Sequence, residues 1–140
     1  MLDRKFIEGK ISLIEEYFYE MEDVVKFGEK EILKDNMKLR ALERDFQLIV
    51  DEMIDINLHF IRELDLKSPD DFQNTFSILA ASNIIPDDFA EKFAPVVGTR
   101  NILAHRYEKV DKKLFISQVK NERKDFLEYL KLINQYLKKT

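Results

Sequence analysis

The chain has 140 residues, 45% hydrophobic and 36% charged, with a net charge of −4 from 23 basic and 27 acidic side chains, and it has no cysteine. That composition excludes a disordered chain, disulfides, thiolate metal sites and any coating of nucleic acid by bulk electrostatics, so RNA, if bound, is bound at a focused site. No apolar run approaches the roughly 20 residues of a membrane helix. The charged start "MLDRKFIEGKISLIEE" does not read as a signal peptide. The expectation is a single domain over residues 1–140 in a reducing cytoplasm, with no membrane association.

In chain order, Ile7, Ile11, Ile14, Phe18, Met21 and Val25 recur at steps of four and three and predict one face of a long helix. Gly28 and the polar "KDN" before Met37 mark its end. Leu39, Leu42, Phe46, Ile49, Met53, Ile56 and Phe60 predict a second long helix. It stops before "DLKSPDDF", where Ser68 and Pro69 suit a cap and a first-turn proline. "DFQNTFSILAASNII" predicts a shorter helix. A restart follows at Pro86, with Asp87 and Asp88 placed for the helix dipole, and Pro95 is expected to break or kink this segment or to open a new helix. The stripe Phe115, Val119, Phe126, Leu130, Ile133 and Leu137 predicts one last helix. Three glycines and three prolines are too few for the turns of an all-β fold. The reading is all-α: an antiparallel bundle of four main helices plus a short additional one.

Against that plain pattern, "GTRNILAHRY" is unusual, because a bundle helix needs none of its polar residues to pack. At about 100° per residue, Asn101 and His105 share a face, and Arg100 and Tyr107 share a neighbouring one two turns apart. Ile102 and Leu103 are the core anchors. Arg100 and His105 are about 140° apart, so they converge only if the arginine bends across or the helix loosens near His105. Gly98, two turns below His105, leaves room for a ligand or a close backbone. A plainer reading also stands, in which an arginine and a histidine complement a helix C-terminus and Asn101 only caps or bridges.

Elsewhere the structural reading is preferred. His59 is a packed or half-exposed histidine, and two histidines without cysteine make a poor zinc site. Asp70/Asp71 and Asp87/Asp88 are helix starts. Arg40, Glu43 and Arg44 form a surface ion-pair set in preference to a wall of an RNA cleft. The phenylalanines are core before they are base-stacking platforms. Tyr17 beside Phe18 and Ile61 beside Phe60 widen the apolar stripes, which suggests surface to bury against a second copy.

"RNILAHRY" fits Arg, four residues, His, one residue, Tyr, and resembles the signature of the HEPN superfamily, in particular its HepT-like (DUF86) toxin branch. "RALERDFQLIVDEMIDI" is similar to the same branch, and the resemblance is strongest over Leu39 to Asp111. It implies a homodimeric all-α endoribonuclease toxin of a type VII-like toxin–antitoxin pair, with the two motifs facing each other across the dimer cleft. It further implies an MNT-type nucleotidyltransferase antitoxin that transfers AMP to the motif tyrosine. Carried over, Arg100 and His105 are the catalytic pair, Asn101 is the polar residue beside them, and Tyr107 is the AMPylation site. Thr99 stands where the branch more often has an apolar residue. These residue types fit metal-independent RNA cleavage with no cofactor: the substrate's 2′-OH attacks, a histidine moves protons near neutral pH, and an arginine meets charge at phosphorus. The alternative is a non-catalytic helical module that partners a nucleotidyltransferase.

Overall fold

The computed structural model describes residues 1–140 and is helical throughout, with no strand. Its elements are α1 (Arg4–Val25), α2 (Glu29–Lys34), α3 (Asn36–Glu63), α4 (Phe72–Ala81), α5 (Asp87–His105), a 3-10 turn (Tyr107–Lys109), α6 (Lys112–Glu122) and α7 (Lys124–Lys138). The expected all-α bundle is therefore present. The boundaries differ in several places, each for a local reason; the break expected between Gly28 and Met37 holds the short α2, anchored by buried Ile32.

The last predicted helix is two. It divides at Arg123, which closes α6 and opens α7 while its guanidinium bonds Glu22 of α1 and the Lys120 carbonyl. The start of α4 is capped by Asp71, whose carboxylate accepts from the Asn74 N–H at 2.7 Å, and not by Ser68 and Pro69. Pro95 neither breaks α5 nor opens a new helix: α5 runs unbroken from Asp87 to His105 with Pro95 inside it. A proline at this point costs the helix one backbone hydrogen bond, but the helix is held on both sides by buried Phe89, Phe93, Val97 and Leu103. The Asp87/Asp88 pair sits in the first turn of α5, as the helix dipole favours.

α1 and α3 pack antiparallel. Asp3 at the start of α1 lies against His59 near the end of α3, and Lys10 bridges Glu52 and Asp55 at 2.9 Å each. Eight of the eleven phenylalanines are core, as expected, while Phe27 is half-buried and Phe6 and Phe72 are exposed. Phe76 and Phe93 are fully buried with ring centroids 5.1 Å apart, and Phe46 packs edge-on against Phe115 and Phe126. A buried polar chain ties three helices through this core. The Tyr129 hydroxyl of α7 donates to Asn57 Oδ1 of α3 at 2.6 Å, and Asn57 Nδ2 donates to the Thr75 hydroxyl of α4 at 3.1 Å. Every member is satisfied, so the network fixes the register of the helices that carry the motif's neighbours.

His59 is structural. It is buried, accepts the Asp3 N–H at 3.0 Å and stacks on Phe6. Burial, reinforced by the Arg62 guanidinium, pushes its ring toward the neutral form. Of the apolar residues that suggested a second copy, Ile61 is buried in this chain's own core, and Tyr17 packs against that core half-buried.

Candidate functional site

The motif is built at the C-terminal end of α5, and α3 supplies its floor. Arg100 leaves α5 toward α3, where Nε donates to Asp51 Oδ1 at 2.6 Å. Its Nη1 donates to Asn101 Oδ1 at 2.9 Å, and the guanidinium carbon lies 5.6 Å from the Phe72 ring centroid. The side chain is thus clamped on one edge and stacked on one face. Nη2 has no partner within the chain, so a planar donor edge is left for an anion.

Asn101 therefore acts first on Arg100. Its carbonyl oxygen accepts from the arginine, and no hydrogen bond joins it to His105. His105 is the last residue of α5 and is exposed. Arg106 then departs from helical geometry, with φ −140° and ψ 52°, while its N–H still closes on the Ile102 carbonyl at 2.9 Å. The helix ends where the sequence geometry asked it to loosen, and His105 is free of the next turn.

This ending corrects the expected position of Tyr107. It does not continue the helix two turns above Arg100 but opens the 3-10 turn. From there its ring reaches α3, where the hydroxyl lies 2.8 Å from both carboxylate oxygens of Glu43. Asp51 and Glu43 are eight residues apart on one helix, about 12 Å along its axis. Arg100 and Tyr107 are therefore held at separate stations on α3.

Glu43 is not part of a surface ion-pair set. It is only 6% exposed, and Arg40 reaches it no closer than 4.0 Å while remaining largely exposed itself. Burial pushes the Glu43 carboxyl above the usual carboxylate range, and the Tyr107 hydroxyl, Arg40 and Lys112 pull it back. Burial, together with the bond to Glu43, likewise raises the Tyr107 phenol. The Tyr107 ring is flanked by cations, with the Arg40 guanidinium 4.8 Å and the Lys112 ammonium 5.7 Å from its centroid.

Gly98 does not admit a close backbone. A Cβ there would meet only Gln73 Nε2, at an ordinary 3.8 Å. Of the two expected anchors, Leu103 is buried, whereas Ile102 is half-buried in a groove shared with Thr99, Val110 and Leu114. No group of three or more metal-ligating side chains converges in the molecule, and no helix is long and apolar enough to cross a membrane.

Sequence reasoning missed Asp51 altogether and misread Glu43. Both lie on α3 at positions where a carboxylate is common on a solvated helix face. What separates them from the other acids of that helix is the partner brought by α5 and the turn after it.

Known proteins resemble the chain along nearly its full length. Residues 8–133 match the ribonuclease HepT-like family. The mRNA nuclease HepT of Shewanella oneidensis is 25% identical over 128 residues, which cover 91% of this chain and 95% of that protein. The tRNA nuclease HepT of Aphanizomenon flos-aquae is 29% identical over 133 residues, covering 94% and 89%. Among solved structures, the tri-AMPylated HEPN toxin of Shewanella oneidensis in complex with its MNT antitoxin superposes with a TM-score of 0.86 at 24% identity, covering 96% of this chain and 99% of the other. That last likeness establishes the shared fold.

Proposed function

The chain belongs to the ribonuclease HepT-like family, and from that premise we propose that it is the endoribonuclease toxin of a type VII-like toxin–antitoxin pair. In this reading it cleaves RNA without a metal and is neutralised by an MNT-type nucleotidyltransferase. The relatives named as mRNA and tRNA nucleases support the activity. The observation that carries the mechanism is the clamped Arg100 with its free donor edge, on the same helix end as the exposed His105.

In the reaction, the RNA 2′-OH attacks the adjacent phosphorus and the 5′-oxygen of the next nucleotide leaves. Arg100 Nη2 meets the phosphate oxygens on which charge builds. Asp51 and Asn101 hold the guanidinium so that little reorganisation is needed when charge develops. His105, unburdened by intramolecular bonds, moves the proton at the attacking or the leaving oxygen. We further propose that the protein is a two-fold homodimer with the motifs beside the interface, which supplies a second His105 and so both an acid and a base. The groove of Ile102, Val110 and the exposed Leu114 beside the motif is the apolar surface that a second copy would cover. The compartment is the cytoplasm, where RNA is at hand and a chain without cysteine gives up no disulfide.

Tyr107 is the AMP acceptor. AMP on its oxygen places a phosphate and a base beside the cleft, where they compete with RNA for the cationic side chains. The test is cleavage of a labelled RNA by the purified chain in EDTA, before and after incubation with the partner nucleotidyltransferase and ATP. Cleavage should persist in EDTA and cease when intact mass shows an AMP-sized gain. Cleavage that EDTA stops and added magnesium restores would remove the metal-independent mechanism.

A further inference from the structure

Two acids, Glu43 and Asp45, are buried and left without a task by RNA cleavage, and Glu43 is the one that meets the motif. A carboxylate taken out of water is costly unless well partnered. Here its sole hydrogen-bond donor is the hydroxyl of Tyr107, brought from a different element. We propose that Glu43 accepts the phenolic proton when a nucleotide is transferred to Tyr107, and that Arg40 and Lys112 flank the ring to receive the incoming α-phosphate; this rests on Tyr107 being the AMP acceptor.

The geometry suits that chemistry. Both Glu43 oxygens lie at hydrogen-bond distance, 2.8 Å, from the reacting oxygen. In the step, Tyr107 Oη forms a bond to the α-phosphorus of ATP, the bond from that phosphorus to the β-phosphate bridge oxygen breaks, and pyrophosphate leaves. The phenolic proton passes to Glu43. A buried carboxyl held above its usual range is a better base than a free one, and it ends the step neutral, so no unpaired buried charge remains when the hydroxyl is lost. Arg40 and Lys112 stand over the ring from α3 and from the start of α6, and they offset the negative charge that the nucleotide carries in. The chain thus supplies part of the machinery that silences it, and the nucleotidyltransferase needs to bring only the activated nucleotide.

The test uses the wild type, Glu43→Gln and Glu43→Asp with the purified partner nucleotidyltransferase, ATP and magnesium. Initial rates of AMP-sized mass gain are measured against the concentration of this chain, and peptide mapping locates the AMP. Glu43→Gln should lower kcat at least about 100-fold, the lower range of general-base effects, with KM little changed. Glu43→Asp, which keeps a base, should recover a substantial part of the rate. RNA cleavage by both variants alone should stay near wild type, which also reports that they are folded. Should Glu43→Gln fail to fold, Glu43→Ala with added formate takes its place, and rescue by formate is the expected result. Wild-type kcat in Glu43→Gln, a loss confined to KM, or no rescue would overturn the proposal while leaving Tyr107 as the acceptor. AMP mapped in the wild type to a residue other than Tyr107 would overturn both.

Discussion

Removing Asp51 tests whether Arg100 works because it is held. Its carboxylate makes one charge-assisted bond to Nε at 2.6 Å, with the two side chains 31% and 14% exposed. A hydrogen bond to a charged group contributes about 1.5–3 kcal/mol, and partial exposure brings this pair toward about 1 kcal/mol. If that energy fixes the guanidinium for the transition state, its loss lowers kcat roughly fivefold to tenfold, since about 1.4 kcal/mol is one factor of ten. A second effect has the opposite sign. Asp51 also offsets the positive charge of Arg100, so Asp51→Ala should leave KM for RNA unchanged or reduced. Asp51→Asn keeps an oxygen acceptor in place and should lose less kcat than Asp51→Ala. The assay is steady-state cleavage of a labelled RNA with kcat and KM resolved, beside thermal melts, in which both variants should stay within about 1 kcal/mol of wild type. An Asp51→Ala variant with undiminished kcat, or an asparagine variant slower than the alanine one, would refute the argument that Arg100 is positioned by α3.

Tyr107→Phe should still cleave RNA but escape silencing by the partner nucleotidyltransferase, as read by intact mass and cleavage together; an AMP-sized gain on this variant would place the handle elsewhere. Asn57→Ala leaves the Tyr129 and Thr75 hydroxyls without their shared partner and should cost about 2 kcal/mol, seen as a fall of roughly 4–8 °C in Tm. The Asp45 carboxyl is pushed up from 3.8 to about 7 by burial, with Glu20 on α1 adding to the effect and Arg44 opposing it. The folded state therefore binds a proton that the unfolded chain releases near pH 4, and stability is lost as pH rises from there through about 7. Asp45→Asn should flatten that decline and melt above wild type at pH 8 but not at pH 4. Light scattering at micromolar concentration should report a dimer, and a monomer alone would remove the second His105 from the mechanism.

The fold was legible because helix periodicity is a local signal that packing here reinforces. All six predicted stripe residues of α1 and all seven of α3 are buried. What periodicity cannot see is where a stripe continues through a change of element. Phe115 to Leu137 keeps its spacing across the Arg123 junction, because α6 and α7 face the same core. At the site, residue types and spacing pointed to Arg100, Asn101, His105 and Tyr107, but the partners of Arg100 and Tyr107 lie 49 and 64 residues earlier on α3. Nothing local distinguishes Glu43, buried beneath Tyr107, from exposed neighbours in "RALERD". The ideal-helix angles also failed past His105, since they assume the helix goes on and it stops there.

The central claim is that this chain cuts RNA with Arg100 and His105. The most direct measurement is cleavage of one labelled RNA, in EDTA and without the partner, by purified wild type, Arg100→Ala and His105→Ala at matched concentration, each with a circular dichroism melt. The account predicts cleavage by the wild type and loss of at least about 100-fold in each variant, with helix content and Tm nearly unchanged. An inert wild type, or either variant cutting at the wild-type rate, would contradict it.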